Sequence, residues 1–409
     1  MRIGIYYHAQ LERETGGGTI FQEVLLEEVR RIVTRHDVFI LSPTVPARLP
    51  EDVPHVRFVR IDASRPGNGG RIVRRLKRAA RRRFDCLFGK GLAETGPLER
   101  AVRELGIDLV WFISTKTERV TVPYVATVWD LAHRIHPYFP EVSVTGWTWE
   151  EREAHYRDIL PRAACIITGT AAGREEIVRY YQVPEHLVQV VPFPTPQFAL
   201  APPTDGAGGA ASRDLPQNYL FYPAQFWPHK NHIGLLLALN ILREQYGLTF
   251  HLVLTGSDKG NLDHVREQAG ELGLSDRVSF LGFVEADFLR ELYRHAFAMV
   301  YPTFFGPDNL PPLEAFALGC PVIASRVAGA EEQLGDAALL FDPKDPAEMA
   351  RRVKELHDAP AMREELIRRG RERAQGWTAT DYVGRVLRII DDFEPVRRCW
   401  SSREPYIHQ

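Results

Sequence analysis

The chain has 409 residues, 44% of them hydrophobic and 25% charged, with 51 Lys and Arg against 53 Asp and Glu for a formal charge of −2. This composition excludes collagen-like and wholly disordered chains, and so balanced a charge gives no global attraction to nucleic acid. At roughly 100–200 residues per domain, the length suits two large domains. Short apolar, β-branched and aromatic runs alternate with longer amphipathic stretches. In the first half the strand candidates are 2–9, 38–42, 56–61, 108–114, 124–130, 165–170 and 188–193; in the second they are 219–224, 249–256, 278–283, 298–303, 321–325 and 338–342. Several are continuously apolar, as strands covered by helices on both faces must be, and helical segments between them indicate βαβ units with parallel sheets.

Between the two series lies "PTPQFALAPPTDGAGGAASRDLP" (194–216), rich in Pro, Gly and Ala and without periodicity, which reads as an interdomain linker with an exposed, mobile middle. The expected organisation is an α/β chain of two doubly wound domains. The first spans 1–195, and a separate linker follows over 196–216. The second spans 217–385, and a helix and tail over 386–409 pack back on the first. In such a pair the ligand belongs in the cleft outside the carboxyl ends of the strands.

Three stretches carry chemistry. In "VYPTFFGPDNLPPLEAFALGCPVIAS" (300–325) a strand ends at Thr303, a Gly/Pro/Asn loop follows, and a helix is expected from Pro311 or Pro312 to Gly319. The loop presents free N–H groups and the positive end of a helix dipole, a seat for a diphosphate. Glu314 is expected in the first turn of that helix, where it either complements the dipole or meets a ligand. In "YLFYPAQFWPHKNHIGLLLALNIL" (219–242) Lys230 opens a helix and suits phosphate charge, or simply faces solvent. In "ERETGGGTIFQEVLLEEVRR" (12–31) Gly16, Gly17 and Gly18 follow the first strand and let backbone approach an anion, though the spacing is neither G-x-G-x-x-G nor a P-loop.

Together these stretches resemble the retaining, nucleotide-sugar-dependent glycosyltransferases of the group 1 type, family four, whose GT-B fold sets two Rossmann-like domains across a cleft. The family motif "E-G-F-G-L-P-x-L-E" aligns without a gap on "G-P-D-N-L-P-P-L-E" (306–314), which implies that Glu314 binds ribose. The family turn "G-R-x-x-P-x-K" is similar to "A-Q-F-W-P-H-K" (224–230), which implies a diphosphate-binding role for Lys230. The loop after "FLG" implies Phe283 at the base, and the glycine loop implies Gly17 and Gly18 near the donor phosphates. Three positions depart from the family. Gly306 stands where the first Glu is usual, Gln225 where an Arg is usual, and Trp129 where the His of "H-D-L" is usual. The resemblance implies that Asp130, Glu314 and Lys230 carry the chemistry and that Gln225, Asp308, Asn309, Leu310 and Pro311 complete the donor site. Asp308 is expected to contact sugar hydroxyls in place of the missing Glu, and His133 or Arg134 to reach the acceptor side of the cleft. The implied donor is GDP-mannose or a UDP-sugar, the acceptor a glycan or lipid-linked hydroxyl in bacterial surface polysaccharide synthesis. No metal and no cofactor are expected.

"RIVRRLKRAARRRF" (71–84) holds eight basic residues, no acidic one, and an apolar stripe at helical spacing. Either it is a solvated surface helix, or Arg74, Arg75, Lys77 and Arg78 meet an anionic membrane or acceptor. It offsets most of an otherwise acidic protein. Cys86, Cys165, Cys320 and Cys399 lack paired or zinc-ligand spacing, so a reduced, cytoplasmic protein is expected, with Cys165 and Cys320 buried. It is expected to sit at the inner face of the membrane if the basic helix docks. No stretch approaches the ~18 apolar residues of a membrane span. Two rivals remain at this level: a non-catalytic nucleotide-sugar-binding relative, and a nucleotide-sugar epimerase of the same fold, which would need carboxylate-rich cleft motifs.

Overall fold

A computed structural model describes residues 1–8, 17–44, 53–61, 96–144, 146–201 and 215–401. Gly16, most of the 194–216 stretch, and the basic segment with Arg74, Arg75, Lys77 and Arg78 lie outside the described residues.

Each of the expected runs contributes a strand. The first sheet comprises β1 (Arg2–Tyr6), β2 (Asp37–Ser42), β3 (Val56–Arg60), β4 (Leu109–Phe112), β5 (Tyr124–Thr127), β6 (Cys165–Thr168) and β7 (Val188–Val190). The second comprises β8 (Tyr219–Pro223), β9 (His251–Thr255), β10 (Val278–Phe280), β11 (Ala298–Tyr301), β12 (Val322–Ser325) and β13 (Ala338–Phe341). Their orders are β3-β2-β1-β4-β5-β6-β7 and β10-β9-β8-β11-β12-β13. All pairings between these strands are parallel, with β1 meeting β4 through Ile3–Leu109 to Tyr6–Phe112 and β8 meeting β11 through Leu220–Ala298. The order reverses between β1 and β4 and again between β8 and β11, and a crevice opens at the carboxyl ends at each such point.

Strand periodicity divides the first sheet's core into two layers. Ile3, Ile5, Leu109 and Trp111 face one cluster, whereas Tyr6, Val110 and Phe112 face the other. The second sheet has its own core, in which Phe221, Leu252, Met299 and Ile323 are fully buried. Cys165 and Cys320 are buried free thiols.

The chain crosses between the sheets twice, and the crossings bind each other. Thr195 N–H donates to Trp377 O at 3.2 Å, Thr195 Oγ1 donates to Ala374 O at 2.7 Å, and Trp377 Nε1 donates to Pro192 O at 2.8 Å. The helix Gln197–Leu200 places Ala199 in the second core, so the start of the 196–216 segment is packed. The helix Ala379–Arg397 packs on the first sheet. A Thr378–Asp381 capping box starts it. Tyr382, Val383, Val386, Leu387 and Ile390, spaced along one face, complete the cluster around Ile3 and Leu25. This return begins before position 386. No described helix is long and apolar enough to cross a membrane.

Candidate active site in the interdomain cleft

The helix after β11 runs Leu310–Leu318, one or two residues earlier than a start at Pro311 or Pro312, so Glu314 falls just past its first turn. Asn309 is its extended N-cap and Gly319, at φ 74°, its left-handed end. The helix N-terminus offers fewer donors than an ordinary one. Pro311 and Pro312 have no N–H, and the Asn309 N–H donates to Gln333 Oε1 at 3.0 Å. Of these first-turn positions only Leu310 keeps an N–H outside the helix's own hydrogen bonds, beside the positive end of the dipole. Leu310 also inserts its side chain into the first domain's core, which ties this helix to the opposite sheet.

Glu314 is half-buried, and its Oε2 accepts from the Tyr293 hydroxyl at 2.7 Å. Burial pushes its carboxyl up to about 7, against the Tyr293 hydrogen bond, which lowers it. Tyr293 is wholly buried on the helix Ala286–His295, where "ELYRHAF" carries only the pattern of an ordinary amphipathic helix.

Lys230 ends the 3-10 turn Pro228–Lys230, and Asn231 at φ 55° caps the next helix by accepting from Gly234 N–H at 3.1 Å. The Lys230 ammonium donates to Tyr301 Oη at 3.1 Å, and Tyr301 donates to Asn309 Oδ1 at 3.0 Å. One polar chain thus links Lys230 to the head of the 310–318 helix, with no carboxylate paired to Lys230 among the described residues. Gln225, by contrast, is held internally: Nε2 donates to Ser257 Oγ at 3.2 Å and Oε1 accepts from Trp227 Nε1 at 3.0 Å. Phe283 lies beyond β10 and is 53% exposed, beside Gly282, whose carbonyl accepts from Gly256 N–H at 2.8 Å.

Gly306 has φ 128°, and a Cβ there would lie 2.6 Å from Asn309 Oδ1. Asn309 Nδ2 donates to the Gly306 carbonyl at 2.6 Å, closing the loop. This backbone suits glycine and strains any side chain placed there, so the motif departure fits the loop's geometry.

On the first domain, Gly17 and Gly18 open the helix Gly17–Arg31, so their N–H groups belong to an unpaired first turn. A Cβ on Gly18 would meet the Trp129 ring at 2.8 Å. Trp129 packs edge-on against Phe21 and Phe193, and its buried indole N–H has no partner among the described residues. Asp130 Oδ1 accepts from Ala132 N–H at 3.0 Å. That is the loop-capping contact of a carboxylate after a strand, and it leaves Oδ2 for other work.

Two expected contacts are corrected. His133 does not reach the cleft: it is wholly buried, stacks on Tyr156 at 5.6 Å, and meets Tyr181 Oη at 3.2 Å. Burial and Arg152 push its imidazole down to about 4. Arg134 pairs with Glu153 in the same network. Asp308 does not stand open to sugar hydroxyls. Its Oδ2 accepts from Phe193 N–H at 2.6 Å, and its Oδ1 accepts from Gln333 Nε2. Burial pushes this carboxyl up to about 8, and a Cβ on Gly169 would collide with it. Asp308 therefore joins the domains.

Two further carboxylates do the same. Glu332 accepts at both oxygens, 3.0 and 2.8 Å, from Ala171 N–H at the start of the helix Ala171–Tyr181. Glu141 accepts from His229 N–H at 2.9 Å and from its Nδ1. Burial and neighbouring Lys230 push His229 down to about 4. Burial raises Glu141, but the hydrogen bonds from His229 outweigh it and hold the carboxyl below its ordinary range. His229 also stacks on Phe305 at 4.1 Å. No motif signals these pairs, because their partners lie far apart in the chain.

Between the domains lies a cavity of about 340 Å³ lined by Asp130 and Glu176 from the first and by Gly306, Pro307, Arg326 and Lys344 from the second. Elsewhere, His36, Asp391 and Glu394 come close enough to suggest metal ligands. Arg35 already pairs with both carboxylates at 2.8 and 2.7 Å.

Residues 210–373 match the family model described as glycosyl transferases group 1. The O-antigen chain mannosyltransferase B of Escherichia coli is 30% identical over 233 residues, covering 54% of this chain and 59% of the relative. A D-inositol 3-phosphate glycosyltransferase of Acidothermus cellulolyticus is 29% identical over 257 residues, covering 60% of this chain and 57% of the relative. The chain thus matches less than two thirds of these relatives' length. Sucrose-phosphate synthase from Thermosynechococcus elongatus superposes with a TM-score of 0.71 at 20% identity, covering 97% of this chain and 99% of that one. Anabaena HepE in complex with UDP and glucose gives 0.69 at 15% identity, covering 96% and 100%. With its two parallel sheets, the chain has the GT-B fold.

Proposed function

We propose that the protein is a retaining glycosyltransferase of family four that moves a sugar from a nucleoside diphosphate, GDP-mannose or a UDP-sugar, to a glycan or lipid-linked hydroxyl during surface polysaccharide assembly. The observation that carries this reading is the polar chain from Lys230 through Tyr301 and Asn309 to the helix on which Tyr293 orients Glu314. The match over 210–373 falls on the same residues, and the names of the relatives support sugar transfer.

The departing diphosphate gains negative charge while the anomeric carbon becomes cation-like. Lys230, the Leu310 N–H, and the first-turn amides at Gly17 and Gly18 meet that charge with fixed donors in a partly dehydrated cleft. Glu314 accepts from the ribose, and Phe283 flanks the base. A phosphate oxygen takes the acceptor proton on the same face, so no pair of protein carboxylates flanks the bond as in glycosidases. This route calls on no metal or cofactor. The 71–84 segment would hold the enzyme at the inner membrane face.

Transfer from GDP-mannose and UDP-glucose to a polysaccharide-precursor pool, with and without Lys230→Ala and Glu314→Ala, tests the reading. Wild-type turnover is expected, with loss of about 10²–10³-fold in Lys230→Ala. A wild type that binds nucleoside diphosphate but turns over neither donor is a binding protein, the reading that Gly306 and Gln225 favour.

A further inference from the structure

The motif aligned on 306–314 has Phe and Gly where this chain has Asp308 and Asn309. Both side chains are committed, and together they join distant parts of the molecule. Asp308 is buried with its carboxylate against first-domain backbone. Oδ2 accepts from Phe193 N–H at 2.6 Å, and Gly169 leaves the room that a Cβ would fill. Oδ1 accepts from Gln333 Nε2. The same Gln333 amide brackets the backbone of Asn309, donating from Nε2 to Asn309 O at 2.8 Å and accepting from Asn309 N–H at 3.0 Å. Both hydrogens of that amide and its oxygen are used, and the acceptor at 308 fixes which way it faces. From Asn309 the bonds continue through Tyr301 to Lys230, at 3.0 and 3.1 Å. Gly306 serves the same arrangement, because its missing Cβ lets Asn309 Nδ2 fold back onto the Gly306 carbonyl. Glu332, next to Gln333, also reaches the first domain, at Ala171 N–H, but among the described residues it has no hydrogen bond to Asn309, Tyr301 or Lys230.

We propose that Asp308 and Gln333 are positioning residues for the donor diphosphate: through Asn309 and Tyr301 they set Lys230 and the head of the 310–318 helix while Phe193 of the first domain holds Asp308. The assignment rests on the glycosyl-transfer reading. It adds a route by which contact between the domains reaches the phosphate-binding groups. With the domains engaged, the carboxylate is out of water, where each bond of a linked network is stronger than in solvent. When the domains part, Asp308 loses Phe193 N–H and is solvated, and its second oxygen is no longer held on Gln333. The Gln333 amide then loses the acceptor that sets its direction, and the grip on Asn309 loosens. Closure thereby completes the constellation around Lys230.

A double-mutant cycle, read by calorimetric titration of the full chain with GDP and UDP, tests the relay. Asp308→Ala is expected to weaken the nucleotide that wild type binds by at least about tenfold. Placed on Tyr301→Phe, which cuts the route to Lys230, the same change is expected to cost less than about threefold. Glu332→Ala removes an interdomain contact that lies off the route, and it is expected to cost the same factor with and without Tyr301→Phe. Gln333→Ala is expected to repeat the pattern of Asp308→Ala, and it carries the test if that variant does not fold. Losses for Asp308→Ala and Gln333→Ala that are the same on wild type and on Tyr301→Phe would show a structural role alone and overturn the proposal. Unchanged affinity in both variants overturns it as well. A wild type that binds neither GDP nor UDP defeats the glycosyl-transfer reading and, with it, the diphosphate seat that the relay serves.

Discussion

The Tyr293 hydroxyl donates to Glu314 Oε2 at 2.7 Å, so a wholly buried phenol orients the carboxylate near the head of the 310–318 helix. Burial raises this carboxyl to about 7 while the tyrosine opposes the rise, so the contact favours the ionised, accepting form of Glu314. Tyr293→Phe removes the opposition, and the carboxyl titrates higher still. Nucleotide affinity in wild type is expected to increase with pH through about 7, and in the variant that increase moves to higher pH. Hydrogen bonds to charged groups contribute roughly 1.5–3 kcal/mol, so a loss of at least about tenfold at pH 7 is expected, narrowing at pH 9. Superimposable affinity–pH curves would contradict the positioning role.

At Gly306 the φ of 128° strains any side chain, and a Cβ 2.6 Å from Asn309 Oδ1 would displace the Asn309 amide. Gly306→Glu, which restores the residue common in the resembled family, is expected to lower stability by about 1–3 kcal/mol and to weaken nucleotide binding. Thermal denaturation and calorimetry check both. Improved turnover would mean that the loop accommodates the glutamate after all.

Asp308 makes stability depend on pH in an unusual direction. Its carboxyl is raised from 3.8 to about 8 in the folded protein. Between those values the native state holds a proton that the unfolded chain has released, so this group's contribution falls as pH rises from about 4 to about 8. Asp308→Asn cannot ionise and is expected to flatten that part of the profile in urea denaturation, while its amide oxygen still accepts from Phe193 N–H. An unchanged slope would show that Asp308 ionises freely in the fold.

Glu141 and His229 hold the 136–141 segment against the second domain. Glu141→Ala leaves a buried N–H and a ring nitrogen without an acceptor, at a cost of about 1–3 kcal/mol. Because the contact is between domains, the expected result is a larger radius of gyration in solution scattering and lower turnover, with each domain still folded. Identical scattering with full turnover would remove this contact from closure.

The fold was legible in the chain because it rests on local signals: continuous apolar runs for strands covered on both faces, and prolines and glycines at the ends of the 310–318 helix. The local placement of Lys230 and Glu314 was legible for a similar reason, since one ends a short turn and the other rides a helix, each formed by contiguous residues. Other features only the tertiary structure decided. Tyr293 lies 21 residues from Glu314, Glu141 lies 88 from His229, and Asp308 lies 115 from Phe193. Such pairs leave no periodicity because their energy comes from desolvation and from partners that only folding brings together. His133 and Asp308 show the limit most plainly. Both stand beside the right motifs, yet packing turned one into the first domain's interior and locked the other onto a backbone N–H across the cleft. Composition and spacing set which groups the chain possesses; burial set which of them still face a ligand.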